Sequence, residues 1–197
     1  MPAAALTTSD PGPLVRAAAR GELPKWAHVS EKRRAHMARV AALMAEWASG
    51  LGLSEGDQAR WTATGWLHDA LREGTPDELR PQVPPAFHDL PGKLLHGPAA
   101  SERLAGEVDE EMLEAIRYHT LGSPRWKALG RALYLADFLE PGRRYETEWT
   151  ASLRARMPAE MDAVLREVVE ARVRHVMESG SALHPETQAF HGQVSAA

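Results

Sequence analysis

Apolar residues recur at spacings of three and four along most of the chain, and this period is typical of helices that bury one face. The clearest example runs from Ser30, a suitable N-cap, to Gly50, a suitable stop after the last turn. Its inward positions are Met37, Val40, Ala41, Met44, Trp47 and Ala48. No stretch alternates apolar and polar residues convincingly, as a half-buried strand would. The pattern predicts a long amphipathic helix and no sheet.

Capping signals predict several further helices. Ser54 begins one and Thr75 begins another, and each is followed three residues later by a carboxylate that can complete a capping box. The remaining predicted helices begin near Leu94, Asp109, Ser123 and Pro158. We therefore expect a single all-α domain over residues 25–180, with a partly mobile extension at 1–24 and a tail at 181–197.

The composition is that of an ordinary globular protein, with 44% apolar and 25% charged residues among 197. The formal net charge of −4 argues against a protein built mainly to bind nucleic acid, which normally has a basic face. No apolar run is long enough to span a membrane, and the first ten residues lack the features of a secretory signal. We therefore expect a cytoplasmic location and no membrane partner. The chain has no cysteine, so any metal must be held by histidine and carboxylate.

Two His-Asp dipeptides occur in different settings. His68 and Asp69 follow two apolar residues inside a predicted helix, so both side chains can face a packed interior. His88 and Asp89 lie among the prolines of positions 81–91, which predict a surface loop. An unpaired buried aspartate is costly in free energy, and metal coordination is one way to compensate that cost. We expect the first pair to bind metal and the second to be solvated.

Other polar residues also lie on apolar faces of predicted helices. His36 shares a face with Val40 and Trp47, and Asp137 interrupts an otherwise apolar run. A lone inward histidine is usually a hydrogen-bonded core residue, but several such positions on separate helices favour one central site. The candidate ligands are His36, His68, Asp69, His96, His119 and Asp137.

These ligand types fit one kind of chemistry. Neutral imidazoles and carboxylates without thiolate suit ferrous iron, manganese, cobalt or nickel, and can suit zinc. Two such ions roughly 3.5–4 Å apart clamp a phosphate and generate hydroxide at neutral pH. Asp69 is the natural bridge between two metals, because it is adjacent to the candidate ligand His68 and its carboxylate is able to reach two ions.

The ordered pattern His…His-Asp…Asp, filled by His36, His68-Asp69 and Asp137, resembles that of the HD superfamily of metal-dependent phosphohydrolases. The resemblance narrows to the YqeK-type branch, bacterial symmetrical bis(5′-nucleosyl)-tetraphosphatases, and covers roughly residues 28–180. The segments that carry it are 67–69, 94–98, 115–122 and 135–143.

This resemblance implies an all-α HD-domain helical bundle with a central dinuclear metal centre. The metal that it implies is iron, with manganese or cobalt as alternatives. It implies hydrolysis of diadenosine tetraphosphate to two ADP by a metal-bridged hydroxide. By position, the first metal would be held by His36, His68, Asp69 and Asp137, and the second by Asp69, His96 and His119.

Phosphoanhydride hydrolysis also needs cations that absorb charge on the transferred group. The family commonly has lysine three residues after the aspartate of His-Asp, whereas this chain has Arg72, whose planar guanidinium presents its donors differently. We expect Asp69, Arg72 and Arg143 to act in catalysis. Weaker cationic candidates are Lys93, Arg117 and Arg144.

Several alternatives stay open at this point. A broader nucleotide or alarmone phosphohydrolase would use the same metal centre, and a catalytically silent sensor would bind a nucleotide without turnover. We expect a small dinucleoside polyphosphate as partner and no nucleic acid, and a homodimer is left open. The residue that stacks on a base is also open among Trp26, Trp126 and Trp149.

Overall fold

A computed structural model describes residues 11–143 and 147–196, and within these residues the fold is entirely helical apart from one isolated bridge between Ala105 and Val108. The predicted all-α class is confirmed. The helices are α1 (Pro13–Ala19), α2 (Glu31–Gly50), α3 (Glu55–Leu67), α4 (Pro76–Leu79), α5 (His96–Leu104), α6 (Glu110–Tyr118), α7 (Ala128–Leu139), α8 (Glu148–Ala155), α9 (Met161–Glu178) and α10 (Pro185–Ala196).

The predicted N-caps are present. The Ser30 hydroxyl accepts a hydrogen bond from the amide of Arg33, and the Ser54 hydroxyl accepts one from Asp57. Thr75 and Glu78 form a reciprocal capping box at the start of α4. These contacts satisfy amides that have no partner inside the helix. Because each contact spans only three residues, the starts of these helices can be predicted from the local sequence.

Other helix starts differ from the prediction. The helix expected from Ser123 begins at Ala128, because residues 123–126 form a turn in which the Trp126 amide donates to the Ser123 carbonyl at 3.2 Å. The helix expected from Pro158 begins at Met161. Helix α8 was not expected, and a capping box at Thr147 begins it.

The core lies where α2, α3 and α7 pack together. Trp47, Leu67 and Leu133 are fully buried there. Gly65 permits the close approach of α3 to α2, since a Cβ atom at this position would lie 2.6 Å from the Cα of Ala41. The end of α3 is therefore held directly against α2.

The proline-rich segment forms three 3₁₀ turns over its own small apolar cluster. The turns are Arg80–Gln82, Pro85–Phe87 and Gly92–Leu94. The cluster consists of Leu79, Val83, Phe87, Leu90, Leu95, Ala99 and Leu121. The segment thus lies outside the main bundle, is packed on its own apolar cluster, and leads into α5.

Both ends of the described chain contribute to the main core. Val15 and Ala18 of α1 are buried, as are Phe190 and Val194 of α10. Residues 1–10 lie outside the described residues, and the expected domain boundaries at 24 and 180 stay a prediction. No helix in the described part of the chain is long and apolar enough to cross a membrane.

Candidate metal centre

Six polar side chains converge in the middle of the bundle. His36 projects from α2, and His68 and Asp69 follow the last turn of α3. The others come from the start of α5, the end of α6 and the middle of α7, and they are His96, His119 and Asp137. All six are buried, so the fold brings together every candidate ligand that the sequence predicted.

The carboxylate of Asp69 lies between two pairs of imidazoles. Its Oδ1 is 3.2 Å from Nε2 of His96 and 3.5 Å from Nε2 of His119. Its Oδ2 is 3.5 Å from Nε2 of His36 and 3.6 Å from Nε2 of His68. Each oxygen of one carboxylate thus faces a separate histidine pair, which is the arrangement of a bridging ligand.

Asp137 approaches only one of these pairs. Its Oδ1 lies 3.2 Å from Nε2 of His36 and 3.8 Å from Nε2 of His68. The two halves of the centre therefore have different composition, with two carboxylates on the side of His36 and one on the side of His96.

Three of the histidines have the same local geometry. In His68, His96 and His119, Nδ1 donates to a backbone carbonyl three residues earlier in the chain. A carbonyl oxygen can only accept, so Nδ1 carries the hydrogen and Nε2 presents its lone pair to the centre. The accepting oxygens belong to Gly65, Lys93 and Ile116, at 2.8, 3.1 and 2.8 Å.

His36 reaches the same orientation through a distant partner. Its Nδ1 lies 3.1 Å from Oε1 of Glu140, which is itself bound by the guanidinium of Arg39 and the amide of Gly142. A carboxylate behind a ligating histidine fixes the ring and makes it a stronger ligand. Glu140 was not predicted as a site residue, although it lies three positions after Asp137 on the same chain segment.

The donor set fits divalent cations. Nε2 of His96 and Nε2 of His119 are 3.1 Å apart, and with both Nδ1 atoms protonated this contact would place two lone pairs against each other. Nε2 of His68 is buried without a hydrogen-bond partner among the described residues. Two triads have ligand atoms within 4.8 Å of one another, namely His36-His68-Asp69 and Asp69-His96-His119. A cation in each triad would satisfy all these atoms.

Electrostatics favour the coordinating forms of His68, His96, Asp69 and Asp137. Burial lowers the pKa of His68 to about 4, and burial also lowers the pKa of His96. Burial alone would raise the pKa of Asp69 and of Asp137, but the surrounding histidines, with Arg143 beside Asp137, hold both well below the ordinary value. At neutral pH the two imidazoles are therefore neutral and the carboxylates charged, which is the state that binds metal.

Two arginines contact the carboxylates of the centre. Arg33 donates to Oδ2 of Asp69, and Arg143 donates to both the carboxylate and the backbone oxygen of Asp137. Arg143 was predicted, whereas Arg33 was missed. The available signal for Arg33 was its position three residues before His36, which places both on one face of α2.

A cavity of about 630 Å³ opens onto the centre. Arg72 lines it, is half-buried, and makes no side-chain hydrogen bond or ion pair with the described residues. Lys93 also lines it from an exposed position. Arg117 instead lies near Glu102 and Glu110 at the surface. Arg144 falls outside the described residues.

Three other residues considered in the sequence analysis, His88, Trp126 and Trp149, do not line this cavity. His88 is exposed, and its Nε2 donates to the carbonyl of Val83 at 3.1 Å. Trp126 is buried, with its indole nitrogen donating to the carbonyl of Glu114, so it is not free to stack on a base. Trp149 is 40% exposed and lines a second, smaller cavity beside Phe138.

Comparisons with known proteins identify a family and several relatives. Residues 33–166 match the HD domain family. A protein of Halalkalibacterium halodurans named symmetrical bis(5′-nucleosyl)-tetraphosphatase is 23% identical over 175 residues, which is 85% of this chain and 91% of that protein. Proteins of the same name from Bacillus subtilis and Staphylococcus aureus are 30% and 33% identical over 59% and 57% of this chain, covering 66% and 61% of their own lengths.

A solved structure shares the fold. The crystal structure of a Clostridium acetobutylicum protein, titled an HD superfamily hydrolase involved in NAD metabolism, superposes with a TM-score of 0.74 at 23% identity. The superposition covers 85% of this chain and 91% of the other. The helical arrangement described above is therefore found in an experimental structure of a related architecture.

Proposed function

Since this chain belongs to the HD domain family, we propose that it hydrolyses diadenosine tetraphosphate and related dinucleoside tetraphosphates symmetrically. The products are two ADP. The observation that carries the proposal is the position of Asp69, whose two oxygens face two histidine pairs beneath a cavity lined by basic side chains. The names of the related proteins support the choice of substrate.

We assign the ligands in two overlapping sets. The first cation would be held by His36, His68, Asp69 and Asp137, and the second by Asp69, His96 and His119. Imidazole and carboxylate donors suit iron, manganese or cobalt, and among these iron is the metal that the family resemblance implies. When bound, such a pair of cations stabilises charge on the phosphoryl oxygens and lowers the pKa of a water that serves as nucleophile.

The reaction breaks the anhydride between the two central phosphorus atoms. The water oxygen bonds to one of these atoms, and the oxygen that linked them leaves with the other half of the substrate. The protons of the water pass to product oxygens and solvent, so one water and one dinucleotide give two ADP. In-line attack of this kind depends mainly on positioning and on stabilisation of charge.

The arginines of the chain provide part of that stabilisation. Arg72 has no carboxylate partner among the described residues, so its guanidinium is available to phosphate oxygens in the cavity. Arg143 is bound to Asp137 and lines the same cavity, so it orients that carboxylate and adds positive charge near the substrate. Positioned donors of this type stabilise the transition state more than the ground state.

The decisive experiment is a turnover assay on the purified chain. The protein is loaded separately with iron, manganese or cobalt, its metal content is measured, and diadenosine tetraphosphate is supplied. Chromatography is expected to show ADP without ATP or AMP. Equal amounts of ATP and AMP would contradict the symmetrical reaction, and binding without hydrolysis for every metal would support a sensor instead. A panel that includes single nucleotides and guanosine tetraphosphate tests the broader hydrolase.

A further inference from the structure

Helix α9 forms one wall of the cavity although none of the proposed metal ligands lies on it. Ala171, Arg172, His175 and Val176 all line the cavity, and their spacing of three and four places them on one face of the helix. The two polar members of this face are therefore directed at the space above the metal centre rather than at bulk solvent alone.

The guanidinium of Arg172 is held by one hydrogen bond and by contact with two aromatic rings. One of its Nη atoms donates to the backbone oxygen of Thr120 at 3.2 Å. Its central carbon lies 4.3 Å from the ring centroid of Tyr134, a buried residue, and 6.0 Å from that of Phe138. A guanidinium stacked on an aromatic ring loses little further freedom when it binds a ligand.

The charge of Arg172 is not neutralised by its surroundings. No carboxylate forms an ion pair with it among the described residues, whereas Arg33 and Arg143 are each paired with a carboxylate of the centre. Among the described residues, Arg72 is the other arginine of the cavity lining without an ion pair, and it comes from the turn after α3. Two guanidinium groups without a carboxylate partner among the described residues, those of Arg72 and Arg172, thus line the cavity from different elements.

A substrate with anionic groups on both sides of its scissile bond matches this distribution. We propose that Arg172 is a specificity-determining residue whose guanidinium binds a phosphate of the substrate other than the one that Arg72 contacts. This inference rests on the proposed function and deepens it. Two cationic contacts from different elements, Arg72 and Arg172, would fix how a four-phosphate chain lies over the metal centre.

The test compares variants of α9 in the metal-loaded full chain. Arg172→Met removes the charge but keeps an apolar stem over Tyr134, and Arg172→Lys restores charge without the planar fork. Arg174→Met is the matched control, because Arg174 is exposed on the same helix and does not line the cavity. Metal content and thermal melting confirm that each variant is folded and loaded.

We expect Arg172→Met to raise KM for diadenosine tetraphosphate roughly 10-fold or more, the scale of a lost charge-assisted hydrogen bond. We expect kcat to change much less, Arg172→Lys to recover part of the loss, and Arg174→Met to match the parent. The difference between parent and Arg172→Met is expected to shrink as salt is added, since salt screens a charge at an open cavity.

The outcomes separate this inference from the proposed function. If the parent hydrolyses diadenosine tetraphosphate and Arg172→Met has an unchanged KM, the inference is wrong and the function stands. If the parent does not hydrolyse it, the function is wrong, and calorimetric binding of the same dinucleotide decides the inference. Roughly 10-fold weaker binding by Arg172→Met would then support it, and equal binding or none by the parent would overturn it.

Discussion

The dipeptide His-Asp occurs twice in this chain, and the two copies have opposite surroundings. His68 and Asp69 follow α3 into the core, where both are buried and face histidines from other helices. His88 and Asp89 are exposed between two 3₁₀ turns, and the ring of His88 is bound to a backbone oxygen nearby. The comparison teaches that the dipeptide alone does not make a metal site, because the packing around it decides.

The cause of the difference lies in the residues just before each pair. Gly65 lets α3 touch α2, so the chain arrives at His68 already inside the bundle. Pro84 and Pro85 precede His88, and proline disfavours continued helix at the residue before it and removes an amide donor. The second pair is therefore carried on a surface turn.

The largest expected effect is the loss of the bridging carboxylate. Asp69→Asn is expected to abolish hydrolysis and to lower the bound metal, because the amide removes the charge that faces both histidine pairs. The matched change Asp89→Asn is expected to leave turnover within a few-fold of the parent. Turnover and metal content are measured on the same samples, and equal losses in the two variants would overturn the choice of pair.

Arg72 sharpens the comparison, since it stands three residues after Asp69 whereas Gly92 stands three residues after Asp89. Arg72→Ala is expected to lower turnover by roughly 10²–10³-fold with metal content intact, the scale for one positioned charge-stabilising donor. Arg72→Lys is expected to recover part of this loss, because the charge stays and the fork does not. Unchanged kinetics in the alanine variant would make Arg72 a solvated residue, and lost metal would make it a support for the ligands.

Glu140 tests the carboxylate contact behind His36, for which the exposed pair has no counterpart among the described residues. The hydrogen bonds from His36 and Arg39 outweigh burial and lower the pKa of Glu140 to about 2, so it is charged at neutral pH. Glu140→Gln is expected to weaken metal binding roughly 10–100-fold, the usual cost of losing a carboxylate behind a ligating histidine. Titration with metal measures this change. An affinity equal to that of the parent would show that His36 is oriented without Glu140.

The smallest effect is expected in stability. Metal at 100 times its Kd is expected to stabilise the parent by about 2.7 kcal/mol, because it binds only the folded chain. His88→Ala is expected to keep this gain, and His68→Ala is expected to lose most of it. Melting curves with and without metal measure the gain, and a gain retained by His68→Ala would exclude that residue from the ligands.

Local signals explain how much of the fold was predictable. Ser30, Ser54 and Thr75 cap helices through contacts that span three residues, so the sequence alone identifies them. The inward histidines and aspartates could be identified as candidates by their place on apolar faces. Their roles as ligands stay a prediction, supported by the way the fold brings them together.

Other parts of the site depend on contacts between distant residues. Glu140 meets His36 across 104 positions, and Arg172 meets Thr120 across 52. Neither residue differs in its local pattern from an ordinary surface charge, so periodicity and capping give no signal for either. Such residues can be found only when the packing of α2, α7 and α9 is known.

The hydrogen bonds behind His68, His96 and His119 have a consequence for how a site of this kind is built. Each one closes a loop of only three residues, and for His68 and His119 the accepting carbonyl lies in the last turn of a helix, where backbone oxygens lack amide partners. The tautomer is thus set by a contact within the turn and needs no partner from another helix. A designed helical bundle could therefore use a histidine placed just after the end of a helix, because the backbone of that helix already orients the imidazole ring.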